Sequence, residues 1–183
     1  MAALLLLGAT LMTGCGGGGG DSDVLPPPVA QGRIAMDEST TCGLPDFQGE
    51  ALRQINQARS QARLCGDRAM AAAAPVRWDG RVFSAAAGHA LDMAADNYCA
   101  HIDDYGRCAG GRLTEEGYRW HAVAENIGGG QRSVAEVVQA WLASPGHCSN
   151  LMDPHFLDIG LACARNTSSQ YRWYWDLVLA RPY

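Results

Sequence analysis

Seven cysteines constrain the folding of this chain more than any other feature of its sequence. They occupy positions 15, 42, 65, 99, 108, 148 and 163. An odd number leaves at least one cysteine outside internal disulfides when a chain matures in an oxidising compartment. The cysteine at position 15 stands apart from the other six, because it directly follows a short apolar segment near the N-terminus.

The N-terminal apolar segment is typical of a secretion signal. Residues 2–12 are largely apolar, yet they fall short of the ~20 residues that a membrane-spanning helix needs. Thr13 and Gly14 before Cys15 resemble a bacterial lipobox, in which cleavage leaves a lipidated cysteine at the new N-terminus, although Met12 stands where leucine is usual. We therefore predict a lipoprotein-type signal peptide at 1–14 and a lipid on Cys15. The alternative is an ordinary cleaved signal with an incidental cysteine.

The segment after Cys15 has the composition of a linker. Five consecutive glycines at 16–20 and three prolines at 26–28 bury little apolar surface, so we predict a Gly/Pro-rich tether over 15–45. The folded domain is then predicted to cover 46–183, and it is long enough for one ordinary hydrophobic core.

The six remaining cysteines are predicted to form three disulfides. An exported domain without a C-x-x-C pair favours disulfides over zinc thiolates. Six cysteines can pair in ~15 ways. Proximity in sequence favours Cys99–Cys108 and Cys148–Cys163, which leaves Cys42–Cys65 across the first predicted helix.

Charge and composition exclude two classes of function. The 19 acidic residues outnumber the 14 basic ones, and the net charge of -5 excludes a nucleic-acid-binding role driven by a basic surface. All of the basic residues are arginines. Because the chain has no lysine, Schiff-base chemistry and a lysine general base are excluded.

Hydrophobic periodicity predicts an α+β domain. Helical spacing and capping residues indicate a helix over 46–64, a second over 79–97 beginning at the cap Asp79, and a third that begins at the capping box Ser133/Glu136. Short or alternating apolar patterns predict strands over 122–127, 156–164 and 171–180. Helices early in the chain and antiparallel strands at its end favour helices packed on a small sheet.

Four short segments together resemble the CAP superfamily of cysteine-rich secretory, antigen five and pathogenesis-related proteins, also called the SCP domain. They are Asn56-Gln57-Ala58-Arg59, Trp78-Asp79, Ala124-Glu125-Asn126 and Trp141-Leu142-Ala143-Ser144-Pro145-Gly146-His147. The bacterial branch is the most similar, and the resemblance covers about 46–183. It implies an α-β-α sandwich with a small antiparallel sheet between helices, usually secreted and stabilised by disulfides.

The resemblance also implies a cleft built by His101, Glu125 and His147. Two imidazoles and one carboxylate suit Zn or another divalent cation, with a further position open to water. Ser144 stands where many relatives have a second glutamate, which permits a Ser144/His147 nucleophile instead. The alternative for His101, Glu125 and His147 is structural bracing of the loops. His89 is predicted to be an interior histidine with its hydrogen bonds satisfied.

The resulting functional hypothesis is a membrane-tethered protein of the bacterial cell envelope, in the periplasm or on the cell surface. We interpret it as a binding or envelope-interaction module whose ligand is a lipid or another component of the envelope. The sequence favours this role over that of an enzyme. The alternatives are a metal-dependent or Ser/His hydrolase and a purely structural surface protein.

Overall fold

The computed structural model describes residues 33–183, which form six helices and six strands. The helices are α1 (Glu38–Thr41), α2 (Phe47–Arg59), α3 (Gly80–Asp96), α4 (Ala109–Glu115), α5 (Val134–Leu142) and α6 (Pro145–Met152). The strands are β1 (Arg63–Cys65), β2 (Arg68–Met70), β3 (Arg77–Trp78), β4 (Trp120–Gly129), β5 (Asp158–Arg165) and β6 (Trp173–Pro182).

Four of these strands form the central sheet, in the order β3-β5-β6-β4. The pairs β5/β6 and β4/β6 are antiparallel, whereas the short β3 runs parallel to β5. The strands β1 and β2 form a separate two-stranded antiparallel sheet. The three strands predicted from the sequence are therefore the long antiparallel strands of the central sheet.

Helices cover both faces of the sheet because its long strands are apolar on both sides. On one face Leu161 and Leu177 pack with residues of α2 and α5, including Ile55 and Val138. On the other face Val178 and the alanines of β5 pack with α3 and with Leu113 of α4. The predicted α-β-α sandwich is confirmed.

Gly160 allows α3 to lie directly on β5. A Cβ atom at this position would stand 2.1 Å from the backbone nitrogen of Phe83. Ala86 and Ala90 on α3 are also fully buried against the sheet. Small residues on both elements therefore allow α3 and β5 to pack closely, as the many alanines in the predicted helix indicated.

The helix boundaries follow the capping residues, with two differences from the sequence prediction. The Asp79 carboxylate accepts the backbone N–H of Arg81 at the start of α3, and Ser133 caps α5, as predicted. The Glu136 carboxylate accepts the N–H of Arg132, so the reciprocal half of the capping box is not formed. Helix α2 ends at Arg59 instead of continuing to 64, because the next residues turn into β1.

The disulfides differ from the predicted pairing. Cys42 is bonded to Cys163, and Cys65 is bonded to Cys148. The predicted bridges Cys42–Cys65 and Cys148–Cys163 are therefore wrong. The physical reason is tertiary contact, because the N–H of Cys42 donates to the carbonyl of Cys163 in β5, and α6, which carries Cys148, packs on β1.

The third predicted bridge, Cys99–Cys108, is also not formed, since Cys99 has a free and half-buried thiol. Burial raises the pKa of this thiol to about 11. Cys99 is therefore protonated at neutral pH and a poor nucleophile.

The folded domain begins before Asp46. Helix α1 packs on β5 and α3, and Cys42 is bonded to β5, so residues 33–45 belong to the domain and not to the predicted tether. The predicted signal peptide, Cys15 and the glycine run lie outside the described residues. No helix in the described part of the chain is long and apolar enough to cross a membrane.

Candidate functional site

His101 and Glu125 form the first contact of the predicted cleft. His101 lies in the loop after α3, and its Nδ1 is 2.8 Å from Oε2 of Glu125 on β4. A carboxylate can only accept, so Nδ1 carries the hydrogen and donates it. The free lone pair of the ring is therefore on Nε2, which is buried and has no partner among the described residues.

His147 lies near this pair on α6 and is almost fully buried. Within residues 33–183 neither of its ring nitrogens has a hydrogen-bond partner. Burial, with a smaller contribution from the neighbouring His101, lowers the pKa of His147 to about 4. The ring is therefore neutral at physiological pH and offers one lone pair.

Asn126 and Asn150 hold α6 against β4 beside the cleft. The Asn126 side-chain amide donates to the carbonyl of His147 at 3.1 Å. Asn150 donates in turn to Oδ1 of Asn126 at 2.9 Å. The consecutive residues Glu125 and Asn126 thus contact the ring of His101 and the backbone of His147, respectively.

Ser144 does not form the predicted nucleophile pair. It is the N-cap residue of α6, and its backbone carbonyl accepts the N–H of Cys148. Since neither ring nitrogen of His147 has a hydrogen-bond partner in the described chain, the ring is not bonded to the Ser144 hydroxyl. A serine without a base in contact lacks the activation that nucleophilic catalysis needs.

Arg112 is a site residue that the sequence did not reveal. Its side chain on α4 is only 4% exposed, and its Nη2 donates to Oε1 of Glu125. Burial on its own would raise the pKa of Glu125, but the hydrogen bond from His101 and the charge of Arg112 outweigh it and lower that pKa. Glu125 is therefore a carboxylate with both oxygens engaged.

Asp176 and His89 lie beneath this pair, and both are fully buried. Asp176 is on β6, directly opposite Ile127 of β4, so its side chain is on the same sheet face as Glu125. Neither of its carboxyl oxygens has a partner in the described residues. Burial and the charge of Glu125 raise the pKa of Asp176 well above its usual range.

His89 makes one hydrogen bond instead of the two that were predicted. Its Nε2 is 2.8 Å from the carbonyl of Ala100, and its Nδ1 has no partner in residues 33–183. Burial lowers its pKa to about 4. The histidine is interior, as predicted, but its hydrogen bonds are not fully satisfied.

The residues that the fold brings together as a ligand group differ from the predicted set. Ligand atoms of His89, Glu125 and Asp176 all lie within 4.8 Å of one another, and this buried group could hold a metal ion. Of the three predicted ligands, His101, Glu125 and His147, only Glu125 belongs to it.

The sequence contained a signal for Asp176 but none for Arg112. Asp176 is a single acidic residue between apolar neighbours in a predicted strand. A charge in the middle of a two-sided apolar strand predicts a buried carboxylate with a special environment. Arg112 has no such signal, because its neighbours 106–117 are rich in glycine and charge.

Comparison with known proteins places this architecture in a family. Residues 52–178 match the cysteine-rich secretory protein family, CAP. The chain belongs to this family. The CAP domain is 30% identical over 94 residues to the uncharacterized protein YkwD of Bacillus subtilis, covering 51% of this chain and 37% of that protein. It is 28% identical over 97 residues to the uncharacterized membrane protein YlbC of the same species, covering 53% of this chain and 28% of that one. The matched regions thus span well under half of these curated relatives.

Solved structures share the CAP fold. An outer surface protein of Borrelia burgdorferi aligns with a TM-score of 0.55 at 18% identity, covering 61% of this chain and 80% of that chain. An extracellular protein of Bacillus anthracis that contains an SCP domain aligns with a TM-score of 0.56 at 22% identity, covering 75% of this chain and 44% of that chain. At these identities the likeness concerns the fold alone.

Proposed function

We propose that this CAP protein is a binding module outside the cytoplasm, whose cleft imidazoles His101 and His147 hold a divalent cation such as Zn²⁺. The observation that carries the proposal is the set of buried ring nitrogens in the cleft that have no partner among residues 33–183. A buried polar atom left without a hydrogen bond costs about 1–3 kcal/mol. A bound cation supplies the missing partner.

The chemistry of His101 fits a metal ligand. Metal-binding histidines donate their second ring N–H to a carboxylate or carbonyl, which fixes the tautomer and the ring orientation. His101 does so through Nδ1 to Glu125, which leaves the Nε2 lone pair for a cation. Glu125 thus serves the cleft as the carboxylate that orients His101.

Binding is better supported than catalysis. Glu125 accepts hydrogen bonds from His101 and Arg112, which help to lower its pKa and make this carboxylate a weak base toward a water molecule. Within residues 33–183 the Ser144 hydroxyl is not bonded to the His147 ring that would activate it. The remaining ligands of the cation would come from solvent or from an envelope ligand that reaches His101, whose side chain is partly exposed.

Zinc titration of the purified chain tests the cleft. His147→Ala should bind one Zn²⁺ fewer per chain than the wild type, with the affinity of the cleft site reduced by ~100-fold or more. This bound is set by outer-shell partners of metal ligands, whose loss alone lowers metal affinity by ~10–100-fold. Isothermal titration calorimetry gives both quantities. The matched control is His155→Ala, which removes an exposed histidine bonded to Asp153 and should change nothing. Equal zinc binding by the wild type and His147→Ala would rule out the cleft site.

The proposed location is the bacterial cell envelope, with a lipid on Cys15 as the anchor. Membership of a secretory family and the two disulfides support maturation outside the cytoplasm. The apolar residues 2–12 followed by Gly14-Cys15 support a lipoprotein signal. The partner in this proposal is the membrane itself, through the anchor.

The absence of lysine gives a direct test of the anchor. If Cys15 is the mature N-terminus and its amine is acylated, the mature protein has no primary amine. An amine-reactive dye should therefore fail to label the membrane-bound wild type, as judged by mass spectrometry. The control is Cys15→Ser, which should be released from the membrane and labelled at its free N-terminus. Efficient labelling of the membrane-bound wild type would contradict full acylation.

A further inference from the structure

The carboxyl group of Asp176 is an unsatisfied polar group in the interior that the structure describes. It lies in β6 between the fully buried Trp175 and Leu177, and it is itself fully buried. Both of its oxygens lack a hydrogen-bond partner among residues 33–183. Burying a carboxyl group in this way is expensive unless a partner compensates for it.

One ring nitrogen of His89 is also without a partner among the described residues. Its Nε2 is 2.8 Å from a carbonyl oxygen, which can only accept, so Nε2 carries the hydrogen. The lone pair is therefore on Nδ1, the nitrogen that has no partner in the described residues. This is the arrangement of a metal-binding histidine whose tautomer is fixed by a backbone carbonyl.

The charges around His89, Glu125 and Asp176 are compatible with a bound cation. Glu125 and Asp176 are two carboxyl groups. The guanidinium of Arg112 influences both, but it is bonded to Glu125 and lies 3.5 Å from Asp103. Cys99 is close enough for both carboxylates to influence it, but it is a neutral thiol. Among residues 33–183 Asp176 therefore forms no direct ion pair, and Arg112 acts on it only from a distance.

We propose that His89, Glu125 and Asp176 form a second, buried site for a divalent cation of the zinc type, distinct from the cleft imidazoles His101 and His147. The ligand atoms of these three residues lie within 4.8 Å of one another. One nitrogen and two carboxylate ligands suit Zn²⁺ better than Ca²⁺ or Mg²⁺, which prefer oxygen alone. The proposal does not require the cleft site to exist.

The position of the site indicates a structural role. Its three ligands come from α3, β4 and β6, so a bound cation links the helix layer to two strands of the sheet. Because a cation that binds only the folded state stabilises that state by mass action, loading this site should raise the thermal midpoint.

The experiment compares the full chain with three variants. Each protein is unfolded with its disulfides intact, refolded with or without Zn²⁺ and passed through a gel-filtration column, because a fully buried site loads readily only during folding. Bound zinc per chain is measured by elemental mass spectrometry, and thermal midpoints by circular dichroism. Asp176→Asn removes the charge of the buried site at constant shape, and His147→Ala removes only the cleft.

The matched control is Asp158→Asn, which alters a buried carboxylate of the neighbouring strand β5 that is already bonded to Arg77 and Tyr118. We expect zinc to raise the midpoint of Asp158→Asn as much as that of the wild type, whereas Asp176→Asn should show a smaller rise and carry one zinc fewer than the wild type. His147→Ala should keep the part of the rise that comes from the buried site. If Asp176→Asn retains the zinc content and midpoint shift of the wild type, the buried site is overturned. Zinc that is lost only in His147→Ala supports the cleft alone, whereas zinc lost only in Asp176→Asn supports the buried site alone.

Discussion

Arg59→Met should lower the free energy of unfolding by at least ~3 kcal/mol, since each buried acceptor left without a donor costs about 1–3 kcal/mol. The Arg59 side chain is fully buried at the end of α2. It donates to the carbonyls of Ala74, Leu151, Asp153 and Phe156. The guanidinium thus joins α2 to the segment before β3 and to the end of α6, and methionine fills similar space without any donor.

The control is Arg53→Met on the same helix. Arg53 forms ion pairs with Asp46 and Glu50, but its side chain is 60% exposed, so its loss should have little effect on stability. Urea unfolding measures both variants. Arg59→Lys should recover only part of the loss, because an ammonium cannot match the planar fork of donors. If Arg53→Met and Arg59→Met lower the free energy of unfolding by similar amounts, the buried hydrogen bonds of Arg59 do not add to stability.

Local sequence signals were sufficient to predict the main elements of the fold. Asp79 caps α3 and Ser133 caps α5 through contacts that span only two or three residues, so the sequence alone specifies them. The alternation in β5 and β6 likewise depends on neighbouring residues. Helix α2 ended earlier than predicted because the chain after Arg59 pairs with β2, and periodicity does not contain that information.

Contacts between distant residues could not be predicted in the same way. The two disulfides join residues separated by 121 and 83 positions, whereas the prediction relied on proximity in sequence. The resemblance to the CAP family indicated His101 and Glu125 by their positions in the implied cleft, and the structure does bring them together. Asp176 and Arg112 join that pair only through the register of β4 with β6 and the position of α4, which depend on the complete fold.

Arg112→Met should destabilise the chain by ~3–5 kcal/mol at neutral pH, the usual cost of leaving a buried charge without its partner. Glu125 and Asp176 would then share the interior with no guanidinium between them. Urea unfolding at pH 7 measures the loss. The control is Arg107→Met. The Arg107 side chain also pairs with Asp103 but is 33% exposed, so its loss should cost less than the loss of Arg112.

The loss in Arg112→Met should shrink as the pH falls. In the wild type the pKa of Glu125 is lowered, so the stability from this group is present above its unfolded pKa and is lost as pH falls through the folded value. Without Arg112 the pKa of Glu125 should be higher than in the wild type, because burial is opposed by one influence fewer, and the pKa of Asp176, raised by burial and by Glu125, also loses the opposing influence of the guanidinium. The variant therefore gains relative stability on acidification, and its unfolding curve should approach that of the wild type between about pH 7 and pH 4, near the unfolded pKa of a carboxyl group. A deficit that stays constant across this range would mean that Arg112 acts through packing and not through the charge of the two carboxyl groups.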